Sequence, residues 1–146
     1  MRHTLITSLL LTLSMSSAAA DAVKHTPAPK DARVYFIAPA DGAIVSSPVR
    51  VIIGLENMGV APAGVRWDST GHHHILLNMG ELPAMDAALP ASEQIIHLGG
   101  GQTETLLELP AGEHSLQLLL GDHFHIPHQP PVLSEKITIQ VEGASE

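Results

Sequence analysis

The sequence contains no cysteine. Disulfides, thiolate metal sites and a cysteine nucleophile are therefore excluded. Aromatic residues make up only 3%, namely Tyr35, Phe36, Trp67 and Phe124. A protein that stacks bases along a single strand needs more aromatic surface than this. Positive charge is also short. Seven Lys plus Arg stand against 15 Asp plus Glu, for a formal net charge of −8 over 146 residues. A nucleic-acid binder would present a basic face, so that class is excluded as well. Nucleotide and hydrolase signatures are missing too. Gly99-Gly100-Gly101-Gln102-Thr103 lacks the lysine of a phosphate loop, and neither a G-x-S-x-G elbow nor an H-E-x-x-H pair occurs.

The amino-terminal segment reads as an address. Arg2 supplies a positive start, residues 5–15 an apolar stretch, and Ser16-Ser17-Ala18-Ala19-Ala20 the small residues of a cleavage site. Residues 1–20 are expected to be a secretory signal peptide. The apolar stretch falls short of the roughly 20 residues that cross a bilayer. The expected location is periplasmic or secreted, with no membrane span after cleavage. Residues 21–32, with two prolines and no apolar period, are expected to be a flexible leader. A cut after Ala22 instead would leave Val23-Lys24-His25 as a terminal nitrogen set that suits Cu(II) or Ni(II).

Residues 33–142 break about every ten residues at Gly, Pro, Asp or Asn. Short β-type runs fill the intervals at 34–37, 48–55, 72–78, 94–98, 103–109, 114–120 and around Ile137, Ile139 and Val141. Val49, Val51, Ile53 and Leu55 share one face, as do Thr105, Leu107 and Leu109. Residues 81–92 read as a long loop with room for one helical turn. About seven short strands without a helical period predict one antiparallel β-sandwich domain over 33–142.

Histidine is the abundant chemistry. Eight of the ten histidines lie between His72 and His128. In the run Gly71-His72-His73-His74, a strand would point His72 and His74 together and His73 away. A second His-x-His, His123 and His125, is followed by His128 in a segment stiffened by Pro127, Pro130 and Pro131. His97 and His114 stand alone. Neutral imidazole binds copper and zinc well. The expected ligands are His72, His74, His123 and His125 first, then His97, His114 and His128. Copper is the expected ion, with zinc as the alternative. Asp122 is the expected carboxylate partner of His123. Met58, Met79 and Met85 are read as packing residues rather than Cu(I) ligands.

The motifs Pro39-Ala40-Asp41-Gly42, Thr70-Gly71-His72-His73-His74, Gly99-Gly100-Gly101-Gln102-Thr103-Glu104 and Gly121-Asp122-His123-x-His125-x-Pro127-His128 together look familiar. They resemble a family of short exported bacterial proteins catalogued as a domain of unknown function, some members of which are labelled rod shape-determining. The resemblance covers about residues 34–141 and implies export and a compact domain built around these histidines. It carries no activity. Residues 113–118 also resemble the penultimate strand of immunoglobulin-like and fibronectin-like domains, which supports the sandwich by analogy.

The expected function is an exported metal-binding protein that stores, delivers or buffers its ion, with enzymatic activity disfavoured. A His-only metalloenzyme is one alternative. A metal-free binding module with a His-based response near pH 6.5 is another. The expected partners are a metal ion and another exported protein.

Overall fold

The computed structural model describes residues 24–143, so the expected signal peptide and both expected cleavage positions lie outside the described residues. In chain order the strands are β1 (Arg33–Ala38), β2 (Ile44–Ser46), β3 (Val49–Glu56), β4 (Gly59–Val60), β5 (Thr70–Leu77), β6 (Ile95–Leu98), β7 (Glu104–Leu107), β8 (Gly112–Gly121) and β9 (Ile137–Glu142). No helix occurs among the described residues, so 81–92 is loop throughout.

The strands form two sheets. One has the order β1-β3-β7. The other runs β2-β9-β8-β5-β4, with β6 also paired to β5. The expected β-sandwich is therefore the fold. Two of its strands carry no sequence pattern, because β2 has three residues and β4 has two. Both pair in parallel, β2 with β9 and β4 with β5. Strands this short are held by their neighbours, since no alternation can develop in them.

The alternating apolar residues explain the main core. Val49, Val51 and Ile53 of β3 pack against Ile75 of β5, Leu116, Leu118 and Leu120 of β8, and Ile139 and Val141 of β9. The other face of the larger sheet is also covered. There Leu76, Ile95 and Leu119 meet Leu89, with Met79, Met85 and Leu133 packed around them. Met58 packs against the main core. All three methionines thus act as apolar filling.

These two cores position the site. β5 is paired with β8 on one side and with β4 and β6 on the other. Its two faces are closed by the smaller sheet and by the loops 78–94 and 122–133. Residues 71–76 are consequently buried without interruption.

The leader is fastened where it meets the second loop. The Ala28 amide donates to the Gln129 carbonyl at 3.2 Å, and the Gln129 amide donates to the Thr26 carbonyl at 3.0 Å. The Thr26 hydroxyl donates to Asp122 at 2.6 Å. Residues 25–28, expected to be part of a flexible leader, are thus bound along this loop. Both segments are rich in proline and so have few amide donors, and the Ala28 and Gln129 amides are paired across the contact.

Candidate metal centre

The ladder places the first ligand pair. His72 is opposite Gly121 of β8, while His74 lies between His97 of β6 and Leu119 of β8. Residues opposite each other in a ladder share a face. His72, His74 and His97 therefore gather on the face away from the main core. Their ring centres lie 4.7 Å (His72–His74), 4.9 Å (His72–His97) and 5.1 Å (His74–His97) apart. One nitrogen from each of the three lies within 4.8 Å of the others, a set that could hold a metal ion.

A fourth ring joins them from the loop after β8. His125 stands 4.9 Å from His72, 6.0 Å from His74 and 4.7 Å from His97 between ring centres. Its backbone has φ 67°, in the left-handed region that non-glycine residues rarely occupy. Hydrogen bonds hold it there. The His125 amide donates to the Asp122 carbonyl at 2.8 Å, and the Leu89 amide donates to the His125 carbonyl at 2.9 Å. Beside these rings is a recess of about 230 Å³ lined by His74, Leu89, Pro90, Ala91, Ile95, His97 and His125.

Two glycines make room for the cluster. A Cβ on Gly121 would lie 2.7 Å from the His74 ring, and one on Gly99 would run into the His97 ring. Any side chain at either position would displace a ring. The Gly99-Gly100-Gly101 run thus serves both as a turn, with φ 81° at Gly101, and as a close approach.

The two β5 rings are held neutral and unpaired. His72 and His74 are fully buried, and neither nitrogen of either ring has a hydrogen-bond partner. Burial, followed by the neighbouring rings, pushes His72 down to about 4 and His74 down to about 3 from the ordinary 6.5. His97, which is exposed at the rim, is lowered by what burial it has and by His125. Neutral imidazole is the metal-binding form, so no proton has to leave before an ion can bind at neutral pH.

The other expected ligands lie elsewhere. His123 turns away from the cluster and packs against exposed Phe124, with ring centres 4.1 Å apart and planes tilted by 39°. Its Nδ1 is 3.9 Å from Asp122 Oδ2, beyond hydrogen-bond distance. Asp122 organises the loop instead, accepting hydrogen bonds from the Phe124 amide at 2.8 Å and the Ile126 amide at 3.0 Å. Burial alone would raise its pKa. The Thr26 hydroxyl, the Ile126 and Phe124 amides and His123 outweigh burial and hold it below the usual carboxylate value.

His114 sits at the opposite end of β8 and uses both nitrogens structurally. Nε2 donates to the Pro110 carbonyl and Nδ1 accepts from the Asn78 amide, each at 2.9 Å. His128 is buried against Gly71 and donates from Nε2 to the Thr70 carbonyl at 3.1 Å. His25 donates from Nδ1 to the Pro127 carbonyl at 3.1 Å. His73 points into the main core beside Leu98 and Leu120, with both nitrogens unpaired and its pKa lowered to about 4 by burial. No polar partner in the structure accounts for it.

Among the second-ranked expected ligands, only His97 joins the cluster. Its position follows from the β5–β6 register, a tertiary pairing that spacing along the chain does not encode.

No helix long and apolar enough to cross a bilayer occurs among the described residues. Comparison with curated proteins and with solved structures gives no match. A family profile described as domain of unknown function (DUF4399) matches residues 51–142, which include every residue of the cluster. The chain belongs to that family.

Proposed function

We propose that this chain is an exported metal-binding protein. It holds one copper or zinc ion at His72, His74 and His97 and stores, delivers or buffers that ion. The observation that carries this reading is the convergence of three imidazoles on one face, two of them fully buried with unpaired nitrogens and the third at the exposed rim. Leaving a buried polar atom unpaired costs about 1–3 kcal/mol. His73 shows that an orphaned ring alone does not make a site. What marks the cluster is that its nitrogens face one another. A switch near pH 6.5 fits these residues less well, because His72 and His74 stay neutral until about pH 4 and 3.

The test uses untagged protein starting at Asp21, stripped with chelator and titrated with Cu(II) and Zn(II) against a competing chelator. One saturable site per chain, tighter than micromolar and lost in the His72→Ala/His74→Ala double variant, is expected. Weak, multiple binding that survives the double variant would overturn the proposal.

A further inference from the structure

The six spacings among the four rings carry information about coordination geometry. A zinc–imidazole bond is about 2.0–2.1 Å long, so four tetrahedral rings would have centres about 5.1 Å apart. A square-planar set, which Cu(II) and Ni(II) favour, would give four spacings of about 4.5 Å and two of about 6.3 Å. The observed spacings are 4.7, 4.7, 4.9, 4.9, 5.1 and 6.0 Å. Five are nearly equal. A flat figure with five such edges would stretch the sixth far beyond 6.0 Å. The rings therefore surround a point as a tetrahedron, opened slightly along the His74–His125 edge.

His125 is the ring that decides this. The nitrogen triad of His72, His74 and His97 does not include it. Yet its ring is as near to His72 (4.9 Å) and His97 (4.7 Å) as those two are to each other (4.9 Å). At these ring spacings the distance left to close is that of its nitrogen and not of its ring. The backbone behind it is held in an unfavourable conformation by hydrogen bonds from two directions. Such strain is found where surrounding structure fixes a residue for a purpose.

Resting on the metal reading above, we infer that His125 is the fourth ligand of a closed, tetrahedral four-imidazole site whose cargo is zinc(II). Four protein ligands leave zinc no position for water or substrate, which is the arrangement of a holding site and not of a catalytic one.

Cobalt(II) and zinc(II), each added alone to the stripped full chain, test this. The expected cobalt spectrum has the intense visible bands of a four-coordinate ion and does not change between about pH 6.5 and 9, because no bound water is present to ionise. The variant His125→Gly suits the loop, since glycine adopts φ 67° without strain. It is expected to weaken zinc binding at least tenfold and to make the cobalt spectrum respond to pH. His123→Ala, two residues away and outside the cluster, should change neither. Copper(II) placed in the same site should show the reduced hyperfine splitting of a tetrahedrally distorted ion, and untagged protein recovered from its export compartment should carry mainly zinc. The faint spectrum of six-coordinate cobalt, a tetragonal copper signal, mainly copper in the recovered protein, or unchanged zinc affinity in His125→Gly would each overturn the inference while leaving the metal reading intact. Failure of every ion to bind would overturn both.

Discussion

The chain contains His-x-His twice, and the two copies divide their histidines differently. In β5 the pair His72 and His74 lies on regular backbone, and the rings meet at 4.7 Å. In the loop after β8 the pair His123 and His125 flanks a turn, and the left-handed conformation at His125 sends the two rings apart. One joins the cluster, and the other packs against exposed Phe124. A strand delivers two ligands as a rigid unit. A loop delivers one, at an angle that its own hydrogen bonds determine. The cluster combines the two modes: two imidazoles from a covered central strand, one from its neighbour β6, and one from a loop held to the Asp122 and Leu89 backbone.

The contrast is sharpest under acid. His72, His73 and His74 are fully buried, with pKa values near 4, 4 and 3 against 6.5 when unfolded. Above pH 6.5 neither state is protonated at these rings, and they make stability no function of pH. Below 6.5 the unfolded chain takes up protons that the folded chain refuses, so stability falls until the folded pKa values are reached. Each such ring contributes on the order of 1.4 kcal/mol per pH unit, less where the rings are coupled. Metal-free protein is expected to lose most of its stability between about pH 6 and 4, as read by denaturant midpoints, and bound metal should move that loss to lower pH. Midpoints that stay flat over this range would contradict the burial argument.

Gly121→Ala should produce the next largest effect. The added carbon would lie 2.7 Å from the buried His74 ring. A loss of about 1–3 kcal/mol in stability is expected, together with weaker metal binding. Gly99→Ala separates the two properties. It displaces His97, which lies at the exposed rim and can swing outward. Thermal stability should hardly move, while metal affinity falls about tenfold, or about 1.4 kcal/mol. The smallest effect belongs to the outlying member of the loop pair. His123→Ala should change affinity by less than about twofold, as expected of a site with no shared partners.

The same contrast explains what could be read along the chain. Strand faces could be read, because alternation is a local property. Val49, Val51 and Ile53 lie in the core, as do Ile137, Ile139 and Val141. The division of His72 and His74 from His73 follows from the same rule. The strands β2 and β4 are too short to alternate. The placement of His97 depends on which residue of β6 faces His74, and the separation of His123 from His125 depends on a backbone angle within a turn. The fastening of the leader needed knowledge of the loop it meets.

That fastening also bears on the order of assembly. The β5–β6 pairing that unites His72, His74 and His97 joins segments close together in the chain. The loop carrying His125 is tied down by His25 and Thr26, across separations of 102 and 96 residues. Closing so long a loop costs more chain entropy than closing a short one, and contacts of this kind form late. A folding chain would therefore gather three of these imidazoles first and bring in the fourth only when residues 25–26 meet residues 122–127. An ion present during folding would encounter an open cradle that the amino-terminal segment afterwards seals.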